Sequence, residues 1–177
     1  GSLLLSYSSY NKISNVSGIG FRLSFSNHNE IFNSSSSSIK FQDSSNNKVN
    51  NSNIGGLGFD LENSNYNLIL NNNCTGQGRS IYLSDSSHNL IFGNTLKAWW
   101  WISMSGDSSY NTFAANNITI TQHYLTDKLK GTNYISHNNF FNSSWNHPKT
   151  TNSANMWSSY ERGNYYSDYP GTDTNHD

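Results

Sequence analysis

Alternating apolar pairs recur along the chain: Leu3 and Leu5, Phe21 and Leu23, Ile39 and Phe41, Phe59 and Leu61, Ile81 and Leu83. Each pair ends six residues before an Asn, in turn Asn11, Asn29, Asn47, Asn67 and Asn89, and the Asn series continues at Asn111 and Asn133. Successive Asn residues are 18, 18, 20, 22, 22 and 22 positions apart. Ile102 and Met104 continue the apolar pairs after a one-residue insertion. Two residues beyond the Asn stands another apolar residue every time: Ile13, Ile31, Val49, Ile69, Ile91, Phe113 and Ile135. Three residues before it stands Ser, at Ser8, Ser26, Ser44, Ser64, Ser86 and Ser108. A second Asn follows five residues after the first at Asn72, Asn94, Asn116 and Asn138, where earlier copies carry Val16, Ser34 and Ser52. Alternation over so few residues predicts short strands with one face inward.

A repeat of about 20 residues holding two or three such strands predicts an all-β parallel β-helix, because helical repeats need a 3.6-residue period that is absent. About seven coils of 18–22 residues occupy 1–141, and the aromatic-rich segment 142–177 is expected to cap the open end irregularly within the same domain. Stacking at roughly 4.8 Å gives a rod on the order of 30 Å long. Inward Asn and Ser at the corners then satisfy turn backbone from coil to coil. Leu3 already sits in a core column. This start implies a rod that continues upstream or docks on a neighbouring copy or domain.

Composition tests that picture. The chain has 177 residues, with 30 Asn and 32 Ser against 12% charged residues. Polar tracts of this kind usually indicate disorder, but 14% aromatics and the regular apolar columns supply a core. A formal net charge of -1 with no basic cluster argues against nucleic acid as a partner. No run of 18 apolar residues exists, which argues against membrane insertion. Cys74 is single, so no disulfide staples the chain.

The coil Ile81 to Asn94 resembles the repeat of the NosD-like parallel β-helix family, and Gly163 to Asp177, GNYYSDYPGTDTNHD, resembles the GNYWSDY and G-x-D-x-N-G-D endings of such domains. Tyr166 replaces the usual Trp, and the sequence reads Asn175-His176-Asp177 where the family continues with Gly and Asp. The resemblance implies a right-handed β-helix in an exported protein, extracellular or on the cell surface. Its roles range over carbohydrate binding, sugar hydrolysis, surface structure and maturation of a copper enzyme.

Candidate chemistry is sparse. Asp85 and Asp107 fall on adjacent coils, and two carboxylates at glycosidase spacing would suit a carbohydrate-active enzyme, with Arg79 and Lys97 the nearest bases for a lyase. Asp before Ser-Ser is equally a turn former. The column before the register Asn includes Tyr66, His88 and Tyr110, which either stack against sugar rings or brace the turns. Trp99, Trp100 and Trp101 cannot all face inward from one strand, so an exposed member would serve a glycan or protein contact. Sequons at Asn15, Asn33, Asn50, Asn73, Asn117 and Asn142 are candidate glycosylation sites where they point outward. His28, His88, His123, His137, His147 and His176, with Met104, Met156 and Cys74, form no copper-type motif. Asp173, Asn175 and Asp177 resemble half of a calcium loop without its Gly and bidentate Glu. The expectation is a non-catalytic structural or carbohydrate-binding surface module without a cofactor, calcium being the one candidate. An enzyme using Asp85 and Asp107 and a copper-handling accessory are the alternatives.

Overall fold

The computed structural model describes residues 1–76, 78–98, 100–120, 131–141, 156 and 164–166. Every regular element among them is a strand. The early coils contain β1 (Ser2–Ser6), β2 (Lys12–Ser14), β3 (Ser17–Ser24), β4 (Glu30–Phe32), β5 (Ser35–Gln42), β6 (Lys48–Asn50) and β7 (Asn53–Glu62). In the middle coils the long strand splits in two, giving β8 (Leu68–Leu70), β9 (Asn73–Thr75), β10 (Arg79–Ser84), β11 (Leu90–Phe92), β12 (Thr95–Ala98) and β13 (Trp100–Ser105). The last are β14 (Thr112–Ala114), β15 (Asn117–Ile120), β16 (Tyr134–Ser136), β17 (Asn139–Phe141) and β18 (Tyr165–Tyr166).

All pairings are parallel and join equivalent positions of successive coils. Seven three-residue strands stack in the order β16-β14-β11-β8-β6-β4-β2, and eleven strands form the second, larger sheet. The chain is therefore a parallel β-helix, as the repeat predicted. Its core is a set of ladders. Phe21, Leu23, Ile39, Phe41, Phe59, Leu61, Ile81, Leu83 and Met104 line one wall, Ile31 to Ile135 a second, and Ile54, Cys74, Leu96, Ile118 and Phe140 a third, all buried. Fully burying each aliphatic side chain contributes about 1.5–3 kcal/mol.

Polar ladders hold the corners. Each register Asn presents its Oδ1 to the backbone N–H of the previous coil's Asn, from Asn11 on Asn29 (2.9 Å) to Asn111 on Asn133 (2.9 Å). The second ladder runs from the Ser34 hydroxyl through Ser52, Asn72, Asn94, Asn116 and Asn138. Two adjacent turn positions lock the coils in opposite directions. Ser86 N–H donates forward to Ser108 Oγ (3.2 Å), whereas Ser87 N–H donates backward to Asn65 Oδ1 (2.6 Å). The inward Asn and Ser are buried, so the amide-rich composition supplies the hydrogen bonds that core-facing turns require.

Within the segment expected to cap the rod, two pieces continue the ladders. Met156 bridges Tyr134, and β18 pairs with β17. Asn164 explains the second: its Oδ1 accepts from Asn138 N–H at 3.0 Å, extending the second Asn ladder by one rung.

Candidate functional site

The outward face of the large sheet carries a cluster of charged side chains. Between the inward residues of each pair, register aligns Arg22, Lys40, Asp60, Tyr82 and Ser103 in one column, and beside it Ser24, Gln42, Glu62, Ser84 and Ser105 in another. Arg22 Nη2 donates to Gln42 Oε1 (2.7 Å). Lys40 Nζ lies 3.3 Å from Asp60 Oδ2 and 2.9 Å from Glu62 Oε1. Burial pulls the Lys40 ammonium down, but its two carboxylate partners together outweigh it and hold its pKa above the usual value. Burial pushes the Asp60 carboxyl up; Lys40 opposes this and Glu62 adds to it. Asp60 Oδ1 is buried without a hydrogen-bond partner.

Beside Asp60 the surface opens into a groove of about 570 Å³ lined by Leu57, Asp60, Gly78, Arg79 and Tyr82. The groove exists because the coils lengthen here. From Ser36 and Ser38 opposite Ile54 and Gly58, two residues are added between Ile54 and Phe59; the next coil adds two more between Cys74 and Ile81. These additions are glycine-rich for a steric reason. A Cβ at Gly58, whose φ is +71°, would collide with the Ser80 and Arg79 carbonyl oxygens, and one at Gly76 with that of Gly56. The close stacking throws Leu57 outward, 72% exposed. The Arg79 guanidinium carbon sits 4.4 Å from the Tyr82 ring centroid, and Tyr82 Oη is tied to Ser105 Oγ at 2.8 Å.

The residues singled out from the sequence lie elsewhere or at the edge of this groove. Asp85 and Asp107 are exposed on one corner, where Asp85 Oδ1 accepts the Asp107 backbone N–H at 2.9 Å. Gly106, with a φ of +61°, takes the position equivalent to Asp85, so the inserted residue moves Asp107 along the turn. Tyr66, His88 and Tyr110 form a stack with centroids 4.8 and 5.2 Å apart, each at positive φ. Both faces of His88 are thus covered by neighbours, and edges point outward. Trp100 pairs with Arg79 in register and Trp101 follows it in β13, whereas Trp99 lies outside the described residues. Asn15, Asn33, Asn73 and Asn117 are exposed and Asn50 is half-buried. Asn142, Asp173, Asn175 and Asp177 lie outside the described residues.

Asp60, Tyr82 and Leu57 were not singled out from the sequence. The usable signal was the coil length rising from 18 to 20 to 22 residues together with Gly55, Gly56, Gly58, Gly76 and Gly78.

A parallel β-helix of Asn-laddered coils, with its distinctive chemistry outside the rod, places the chain among solenoid repeat proteins. Residues 2–171 match the family model described as periplasmic copper-binding protein (NosD), and the chain belongs to this family. No curated protein matches the chain. The family description is of a periplasmic, and so exported, protein. For the copper it names, three of the six His, His123, His147 and His176, lie outside the described residues. No three His, Cys, Asp or Glu side chains converge among them, Met104 is buried in the core, and Cys74 Sγ contacts Ser80 O at 3.7 Å with its thiol pushed by burial to about 12.

Proposed function

We propose that this protein is a non-catalytic, exported β-helix module that binds saccharide chains in the groove between Leu57 and Tyr82. The observation that carries this reading is the make-up of the groove: an exposed apolar side chain, an Arg braced on a tyrosine ring, and a desolvated carboxylate with an unpartnered oxygen. A buried acceptor without a partner destabilises by about 1–3 kcal/mol. A small turn of the Asp60 carboxylate offers that oxygen to a sugar hydroxyl, while Leu57 packs on a sugar C–H face. Concave sites that combine apolar walls with a few polar groups are the usual form of ligand recognition. The Tyr66, His88 and Tyr110 column serves as bracing in this reading, since its ring faces are turned to one another.

A glycan array read by tryptophan fluorescence, run with and without calcium, tests the proposal on the wild type and on Tyr82→Ala, Asp60→Ala and Tyr66→Ala variants. Saturable binding that the first two lose and the third keeps is the expected result. Loss confined to Tyr66→Ala would move the site to the column, and no binding to any saccharide would leave the rod a structural part.

A further inference from the structure

Of the basic side chains on the outward face, Arg22 is committed to Gln42 and Lys40 to Asp60 and Glu62, and Lys97 of β12 is exposed but does not line the groove. Arg79 differs: it is exposed, lines the groove and forms no ion pair among the described residues. Its guanidinium is held over Tyr82, a ring itself fixed through Ser105. A guanidinium immobilised in this way keeps its planar fork of donors for a ligand and loses little freedom on binding. Lys40 bridges Asp60 and Glu62 and offsets one of their two charges, while Arg79 acts on Asp60 only through space. Arg79 is thus the cation of this group whose donors are not taken up by an ion pair among the described residues.

We propose that the groove recognises an acidic saccharide, with Arg79 pairing bidentately to the carboxylate of a uronic acid residue; this rests on the saccharide-binding reading above. A planar carboxylate matches the two parallel N–H donors of the fork, and such charge-assisted bonds are about twice as strong as neutral ones. Leu57, which also lines the groove, takes the apolar face of the same ring. Asp60 stands off the carboxylate and accepts a hydroxyl.

Affinity electrophoresis and calorimetry at low salt, with polygalacturonate, its carboxyl-reduced counterpart and dextran sulfate, test this assignment. Polygalacturonate is expected to bind at least about tenfold more tightly than the other two, the scale of one charge-assisted pair. Arg79→Ala should abolish the preference, Arg79→Lys should keep only part of it, and Lys12→Ala, remote from the groove, should leave it intact. Far-UV circular dichroism checks that each variant keeps the rod. Equal binding of polygalacturonate and its reduced form would overturn the acidic assignment while leaving saccharide binding in place. Absence of binding to either would overturn both. Equal or tighter binding of dextran sulfate, or a preference that survives in Arg79→Ala, would also overturn it.

Discussion

The side-chain oxygen of Asn111 accepts two hydrogen bonds from Asn89, 22 residues earlier: one from the backbone N–H at 2.9 Å and one from Nδ2 at 3.0 Å. Asn89 does the same for Asn67, and its Nδ2 also serves the Ser64 carbonyl at 3.1 Å. One amide thus ties three coils together. Asn89→Ala withdraws the partner of buried donors on Asn67 and of the Ser64 carbonyl, each worth about 1–3 kcal/mol when orphaned. The expected loss in a urea titration is about 3 kcal/mol or more, against a smaller loss for Asn11→Ala at the half-exposed first rung.

Asn89→Asp should be worse than Ala at neutral pH, because a carboxylate oxygen then faces the Ser64 and Ser87 carbonyls. That carboxyl would titrate above its unfolded value, so the variant is most stable below about pH 4 and weakens as pH rises through the folded value. Urea midpoints across pH 3 to 8 check the sign.

Two native carboxyls should show opposite pH signatures. Burial raises Asp60 above its ordinary 3.8, so its contribution is fully present below that value and is lost as pH rises through the folded pKa. The hydrogen bond from Lys48 lowers Glu30, with burial opposing and the Lys48 and Lys12 charges assisting, so its contribution is present above the ordinary 4.5 and is lost as pH falls through the folded pKa. Asp60→Asn should therefore gain on the wild type between pH 3.5 and 7, and Glu30→Gln should lose over the same interval. Thermal melts at the two pH values measure both.

Cys74 reports on opening of the rod. Fully buried and with a thiol pushed to about 12, it offers almost no thiolate at neutral pH. A disulfide reagent should label it only at the rate at which the third wall opens, and labelling should accelerate sharply in Asn89→Ala. Rapid labelling of the folded wild type would contradict the closed core.

Ala115 sits in a column of left-handed residues, with φ 54°, where Asn71 precedes it by two coils and Gly93 by one. An alanine there is strained by about 1–2 kcal/mol relative to a permissive residue. Ala115→Gly should stabilise by about 0.5–1 kcal/mol after the added freedom of the unfolded chain is counted. Gly93→Ala should cost more than the reverse change, since the new Cβ runs into the Asn71 side-chain oxygen.

The inward half of the molecule was legible in the sequence because it repeats. Asn67, Ser64 and Ile69 recur with fixed spacing, since stacking forces equivalent residues into equivalent surroundings. The outward half answers to no such rule: Lys40, Asp60 and Tyr82 share a column yet differ in kind, so no period marks the groove. Asn164 was hidden for another reason. It stands 26 residues after Asn138, beyond the 22-residue step, and only the hydrogen bond reveals it as the next rung. Asp107 looked equivalent to Asp85 by counting back from Asn111, but the extra residue enters at Gly106 and Asp107 themselves.

The coils grow from 18 to 22 residues without disturbing either Asn ladder, because the added residues enter at one corner, between Ile54 and Phe59 and between Cys74 and Ile81. That corner works as an expansion joint, and the turn at Gly106 and Asp107 takes a single further residue. Extra chain inserted there lengthens a wall of the groove and leaves the frame untouched, whereas the same insertion between Asn89 and Asn94 would fall on the five-residue span that holds the two ladders together and pull them apart on that coil. A scaffold so partitioned can have its outer face remodelled without refolding its interior.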